Sequence, residues 1–220
     1  MIDSAEIARG LAARGDAADT KVSAVVLAAG MSRRMGGEPK LLLDLGGVPM
    51  IRRTVQNVLA FAPVETIVVT GYRAAEIEAA LAGLPVRFAR NDAHEQGQPT
   101  SVAAGVRALR AHCNAVMVVL GDQPLVTAEH MRALVTAYAE MQDASILVPH
   151  VRGKRGNPVL FATRHIPAVL TGGVNIGCRR LIDTNSDDVA RIEFESDVYT
   201  FDCDTPEDYR VLVGRLGAVA

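Results

Sequence analysis

Residues 22–40 read VSAVVLAAGMSRRMGGEPK, and the fold turns on how that stretch is taken. Its opening, Val22–Leu27, is an apolar, valine-rich run with the length of one buried strand. Residues 28–40 then hold three glycines, two arginines and a lysine. A plain turn needs one or two glycines, so this loop carries more flexible backbone and more positive charge than turning requires. A strand that runs into glycines and cations gathers backbone N–H groups and positive charge at one point, which is the chemistry of a phosphate site. Two familiar forms of that site are excluded. A P-loop needs G-x-x-x-x-G-K-[ST], but Gly30 is followed by Gly36, Gly37 and Glu38. A dinucleotide fingerprint needs G-x-G-x-x-G and an acid ending the second strand, where this chain has Gly30-Met-Ser and then Thr70-Gly71-Tyr72.

Outward from the loop, strand-like and helix-like stretches alternate. Residues 50–62 have helical periodicity and stop before Pro63; 66–71 form a strand, 74–83 a helix closed by Gly83, and 86–91 a third strand. A helix is expected at about 99–111, then the most apolar strand at 115–122, then a helix over 127–141 opening on Thr127 as N-cap. This βαβ rhythm implies an α/β fold with a mostly parallel sheet and helices on both faces, a three-layer α/β/α domain. After residue 144 the rhythm changes to short strands at 145–151 and 157–162 joined by the basic turn RGKRG. A glycine-rich helical stretch (172–182), strands at 190–195 and 199–202, and a last helix from Thr205 complete the pattern. No long linker or repeat divides this, so residues 21–220 are expected to form one domain behind a flexible N-terminal extension, 1–20, broken by Gly10 and Gly15.

Composition narrows the function classes. A net charge of −2, from 23 basic and 25 acidic residues, gives no field that would draw the chain to nucleic acid. Aromatics make up 4% and Trp is absent, which argues against a base-stacking platform. Three widely spaced cysteines, Cys113, Cys178 and Cys203, suggest neither a disulfide framework nor a zinc pair and point to a reducing cytoplasm. Residues 1–20 lack the regions of a signal peptide, and no apolar run approaches the ~20 residues of a membrane span.

The ordered set LAAGMSRRMG…PKLLLDLGGVPMI, VVTGY, EQGQPTSVAAG, VVLGDQPLVT, RGNPVLF and DCDTPEDY, over roughly residues 22–212, resembles the MobA-like nucleotidyltransferases. Within them it looks most like the molybdenum cofactor cytidylyltransferases. The resemblance implies a Rossmann-like nucleotidyltransferase fold of the nucleotide-diphospho-sugar transferase type. It implies a Mg²⁺-dependent transfer of CMP from CTP to the phosphate of molybdopterin, with a molybdoenzyme as a further partner. Leu27, Ala28, Ala29 and Gly30 would place backbone against the base and ribose, and Gly30, Ser32, Arg34 and Gly36 would cradle the phosphates. Lys40, with Arg34, would stabilise charge on the α-phosphate and departing pyrophosphate, which is where negative charge gathers in such a transfer. Gly71, Gly97, Thr100 and Ser101 match positions around the base and sugar. Gln98-Pro99 depart from the small residues usual there, which bears on base specificity. His94 is expected to be structural, since an anionic attacking phosphate needs no general base.

The acids fit the same chemistry. Asp122 follows the most apolar strand, at the sheet edge where α/β proteins bind ligands, and Mg²⁺ takes few carboxylates. The resemblance gives it, as the catalytic acid, to the metal. In FDCDTPED, residues from Asp204 onward also read as a helix start, which leaves Asp202 unexplained; the resemblance implies a second metal ligand within this D-x-D, expected to be Asp202 ahead of Asp204. On the acceptor side, Arg155 and Asn157 of RGKRGNP and Asn175 of GGVNIG are the expected substrate-binding residues, Asn175 standing where relatives carry an acid. Two rival readings remain: transfer to another phosphorylated acceptor such as a sugar phosphate, or a non-catalytic escort that carries the cofactor to a molybdoenzyme. Retention of both Lys40 and Asp122 favours catalysis.

Overall fold

The computed structural model describes residues 20–32, 35, 39–141, 144–171 and 178–217, without the side chains of Arg179 and Arg180. Alternation along β1 (Val22–Ala28) decides the layering. Val22, Ala24, Val26 and Ala28 enter one core, while Val25, Leu27 and the adjoining Ala29 enter another. Successive strand side chains point to opposite faces, so a strand buried at every position, Ser23 included, is covered on both.

Three strands extend β1 in parallel: β2 (Glu65–Thr70), β3 (Arg87–Arg90) and β4 (Ala115–Leu120). Their order is β3-β2-β1-β4. Beyond β4 the sheet continues through β5 (Ile146–Val151), β6 (Lys154–Arg155) and β7 (Val159–Ala162), in the spatial order β4-β7-β5-β6 with antiparallel pairings. A last strand, β8 (Val189–Glu193), lies parallel to β5. Helices α1 (Met50–Phe61) and α4 (Ala128–Ala139) cover one face together with Leu212 of α7 (Pro206–Gly217). A short helix α2 (Ala74–Ala80) adds Ile77 to that core. Helices α3 (Gln98–Ala108), α5 (Ile166–Thr171) and α6 (Cys178–Thr184) cover the other. The expected three-layer α/β/α class with a mostly parallel sheet is therefore the one observed. Helix α3 seats closely because Gly105 faces the sheet: a Cβ there would lie 2.3 Å from Val25 Cγ1, and stiff valines leave it no room.

The register from Val22 opposite Ala115 to Leu27 opposite Leu120 brings the C-terminal ends of β1 and β4 side by side. Between these strands the chain order reverses, and an open α/β sheet binds ligands in the crevice at such a point. The loop after Ala29 and the acid Asp122 both fall there.

Some expectations need correction. The strand expected at 199–202 is instead a single 3₁₀ turn, Asp197–Thr200. Tyr199 is buried, and its carbonyl accepts from Asn157 N and Gln123 Nε2, so no strand ladder is needed to satisfy it. The helix expected at 172–182 begins at Cys178; residues 172–177 and the extension 1–19 lie outside the described residues. The three cysteines are free, with Cys203 buried and the other two half-buried. No helix among the described residues is long and apolar enough to cross a membrane.

Candidate active site

The loop after β1 returns to its own start. Ser32 adopts a left-handed conformation (φ 50°), and its Oγ accepts from the backbone N–H of Lys40 at 3.2 Å. A 3₁₀ turn over Lys40–Leu42 then buries Leu41 and anchors the lysine's backbone. This fixes the Lys40 side chain at the crevice between β1 and β4.

There it meets the acids. The Lys40 ammonium donates to Asp122 Oδ2 and, at 2.7 Å, to Asp204 Oδ1. The Lys40 and Asp122 side chains are only 13% and 15% exposed, so the pair is poorly screened by salt. Burial pulls the Lys40 pKa down, but the charges and hydrogen bonds of Asp122 and Asp204 more than reverse this and hold it above the ordinary lysine value. Asp202 stands behind the pair and accepts from Gln123 Nε2 at 2.7 Å. Burial, then repulsion from Asp122 and Asp204, pushes its carboxyl up to about 6, against the pull of Gln123 and Lys40.

Thr205 and Asp208 cap α7: Asp208 Oδ2 accepts from the backbone N–H groups of Asp204 and Thr205, and Asp208 N donates to Thr205 Oγ1. This reciprocal arrangement is a capping box. The backbone of Asp122 is tied to the same region, its carbonyl accepting from Cys203 N at 3.2 Å.

Next to these charges opens a cavity of about 310 Å³, within the range of small-ligand clefts. It is lined by Leu27, Ala29, Gly30 and Met31 from β1 and its loop, by Gly97, Gln98 and Ser101 at the start of α3, and by Lys40 and Asp122 at the charged end; His94 and Glu95 add a further wall. Seven expected site residues thus come together: Leu27, Ala29, Gly30, Lys40, Gly97, Ser101 and Asp122. Ala28 points instead into the core under α1. Thr100 is turned to the backbone, its Oγ1 donating toward the Ala93 and Gly97 carbonyls. Gly71 lies behind the wall: a Cβ there would come within 2.8 Å of both Ala29 Cβ and His94 Cβ. Only glycine lets β1, β2 and the loop close so tightly. Arg34, Gly36 and Asn175 lie outside the described residues.

Sequence reasoning missed the residue that shapes this wall. Asn91 is buried after β3, and each of its polar groups has a hydrogen-bond partner. Its Nδ2 reaches Thr100 Oγ1 and Ser101 Oγ, both at 2.9 Å, and its Oδ1 accepts from Ala93 N. Its N–H donates to Thr70 O, and its carbonyl meets His94 Nδ1 at 3.1 Å. An asparagine ending a strand ahead of a turn was the available signal, since such side chains organise local backbone. Gln123 was also overlooked; it links Asp202 to Tyr199 O across the base of the acid cluster.

On the acceptor side, Arg155 lies in β6, and Asn157 is held by its N–H to Tyr199 O at 2.8 Å. Neither lines the cavity. They belong to the antiparallel half of the sheet, beyond β4.

The cluster also suits a cation. Among the described residues no three of His, Cys, Asp and Glu form a self-contained metal cage. Yet three carboxylates beside one ammonium leave an excess of negative charge, and the ammonium already sits as a cation between Asp122 and Asp204. Mg²⁺ asks for one or two protein carboxylates and takes phosphate oxygens and water for the rest, so the donor set fits it.

The comparisons with known proteins bear on the family and the fold. The model of the family described as the MobA-like NTP transferase domain matches residues 24–189, and the chain belongs to that family. A solved nucleotidyl transferase from Methanothermobacter thermautotrophicus, Mth528, is 31% identical, with a TM-score of 0.75 over 91% of this chain and 99% of that one. The Rv0371c homolog from Mycobacterium sp. strain JC1 is 27% identical, with a TM-score of 0.78 over 91% and 98%. Among curated proteins, the bifunctional protein GlmU of Anaeromyxobacter dehalogenans is 34% identical over 155 residues. That match takes in 63% of this chain and 32% of GlmU, so the chain spans about a third of that relative's length.

Proposed function

We propose, with membership of that family as the premise, that this domain transfers CMP from CTP to the phosphate of a molybdopterin-type acceptor and releases pyrophosphate. The observation that carries the reading is the Lys40 ammonium held between Asp122 and Asp204 at the charged end of a nucleotide-sized cavity. A module that only escorted a cofactor would have no use for such a cluster.

In the reaction an acceptor phosphate oxygen attacks the α-phosphorus of the triphosphate, and the bond from that phosphorus to the β-phosphate bridge breaks. The attacking oxygen is already anionic, so no side chain need remove a proton. Lys40 neutralises charge growing on the α-phosphate and the leaving group, and low exposure raises the value of that interaction. Gly30 and Ser32, with Arg34 and Gly36, supply the phosphate cradle. Leu27, Ala29, Gly97 and Ser101 enclose the base and sugar, Gly71 and Thr100 set the wall behind them, and Ala28 seats the strand end. Asp122 and Asp204 would hold Mg²⁺; Asp202, expected first from sequence, stands behind them on Gln123. The ion would supply charge neutralisation on the phosphates. Asn157, Arg155 and Asn175 are the acceptor-side residues. The deciding experiment measures pyrophosphate release over a panel of triphosphates and acceptors, molybdopterin and sugar phosphates included. Turnover with sugar phosphates alone would replace the acceptor in this reading.

Base size should be read by Ala29, whose methyl lines the cavity and packs toward Gly71 and His94. A methyl of bulk discriminates by about 1–3 kcal/mol. CTP should therefore be preferred over GTP and ATP by about 10- to 100-fold, with Ala29→Gly narrowing the gap. Competition among equal concentrations of the three tests this. A purine preference in the unmodified protein would end the cytidylyl reading and leave the family assignment in place.

A further inference from the structure

Bulk at Ala29 cannot separate cytosine from uracil, because the two rings have the same shape. They differ in hydrogen bonding: cytosine carries a donor amino group at C4 where uracil carries an acceptor carbonyl. A cavity that tells them apart needs a group of fixed polarity beside the base, from the backbone or from a side chain.

His94 has that property. Its Cβ and Cγ lie against the bare face of Gly71, beside the Ala29 methyl. Its Nδ1 is 3.1 Å from the Asn91 carbonyl, which can only accept, so Nδ1 carries the proton. The neutral ring then has Nε2 as a pure acceptor. The tautomer is locked because Asn91 is itself locked, buried and bonded to Thr70, Ala93, Thr100 and Ser101. Of the other polar side chains on that side of the cavity, Gln98 offers both a donor and an acceptor and suits either base. Glu95 is exposed, where water competes for it. Ser101 Oγ can turn its own proton either way.

We propose that His94 Nε2 accepts a hydrogen bond from the exocyclic amino group of the cytosine ring, and that this contact selects CTP over UTP. The inference rests on the CTP reading above. It makes His94 a specificity-determining residue, distinct from the phosphate chemistry at Lys40. Uracil would set its carbonyl against the same lone pair, leaving two acceptors facing each other.

The test is binding of CTP and UTP to the full chain by calorimetry, with turnover on equal mixtures, in the unmodified protein and in His94→Ala, His94→Leu and His94→Gln. The unmodified protein should prefer CTP by about tenfold or more, the scale of one well-made hydrogen bond against one lost and opposed. His94→Ala and His94→Leu should bring the ratio to within about threefold. His94→Gln, whose amide oxygen can reach the place of Nε2, should keep most of the preference. If the alanine variant loses its fold by circular dichroism, the leucine variant carries the test, since it fills the space beside Gly71. A CTP preference that survives in the leucine variant overturns the assignment of His94 alone. No CTP preference in the unmodified protein overturns it together with the CTP reading, so the two failures are told apart.

Discussion

Replacing Asp122 by alanine is expected to lower kcat on the order of 10²-fold or more, the scale on which removing a fixed transition-state stabiliser acts. Folding should be little affected. The carbonyl of residue 122 keeps its bond from Cys203 N, and Lys40 keeps Asp204 as a partner. Losing one carboxylate also relieves the repulsion that raises the Asp202 pKa. Asp122→Asn should show nearly the same loss at unchanged side-chain size, which separates charge from packing. Steady-state kinetics beside a thermal melt check both variants. Near-normal turnover in Asp122→Ala would remove this residue from the chemistry.

The second large effect belongs to Lys40. Lys40→Ala should reduce kcat by about 10²-fold and raise KM far less, because charge that builds on the leaving group gains more from the ammonium than the ground state does. Lys40→Arg should recover little, since a planar guanidinium cannot occupy the compact position between Asp122 and Asp204. The alanine variant should also be less stable at neutral pH, as Asp122, Asp202 and Asp204 then face one another without a cation. A change confined to KM, with kcat untouched, would reduce Lys40 to docking the triphosphate.

The parallel half of this fold was legible because its signals are local. Val22–Leu27 and 115–120 are largely apolar runs that lead into Gly30 and Gly121, and Thr127 opens its helix as a cap should. The loop at 30–40 and the acid after β4 could be joined from the general rule that α/β sheets bind ligands at strand ends. Other features depended on tertiary partners that no local pattern encodes. The strand expected at 199–202 failed because Tyr199 O is taken by Asn157 and Gln123, from distant parts of the chain. The choice between Asp202 and Asp204 was not fixed by spacing: Asp204 bonds to Lys40, 164 residues away, and Asp202 to Gln123, 79 residues away. His94 was set aside in the sequence because an anionic attacking phosphate needs no general base. The contact of its Nδ1 with the Asn91 carbonyl, across the two residues between them, is not visible in the sequence.

The ion-pair cluster also bears on how the molecule is made. Lys40 lies 82 residues from Asp122 and 164 from Asp204, so its two bonds close loops of very different length. Closing long loops slows folding and comes late. During synthesis the strands β1 to β4 leave the ribosome well before residues 202–204, and they can pair while the last acid is still absent. On the proposed reading, the cluster around Lys40 is therefore complete only after residues 202–204 have joined the sheet of β1 to β4. In refolding from denaturant, recovered turnover should lag behind recovered ellipticity, the interval measuring how long the C-terminal segment takes to find its lysine. Simultaneous recovery would mean that sheet and cluster form in one step.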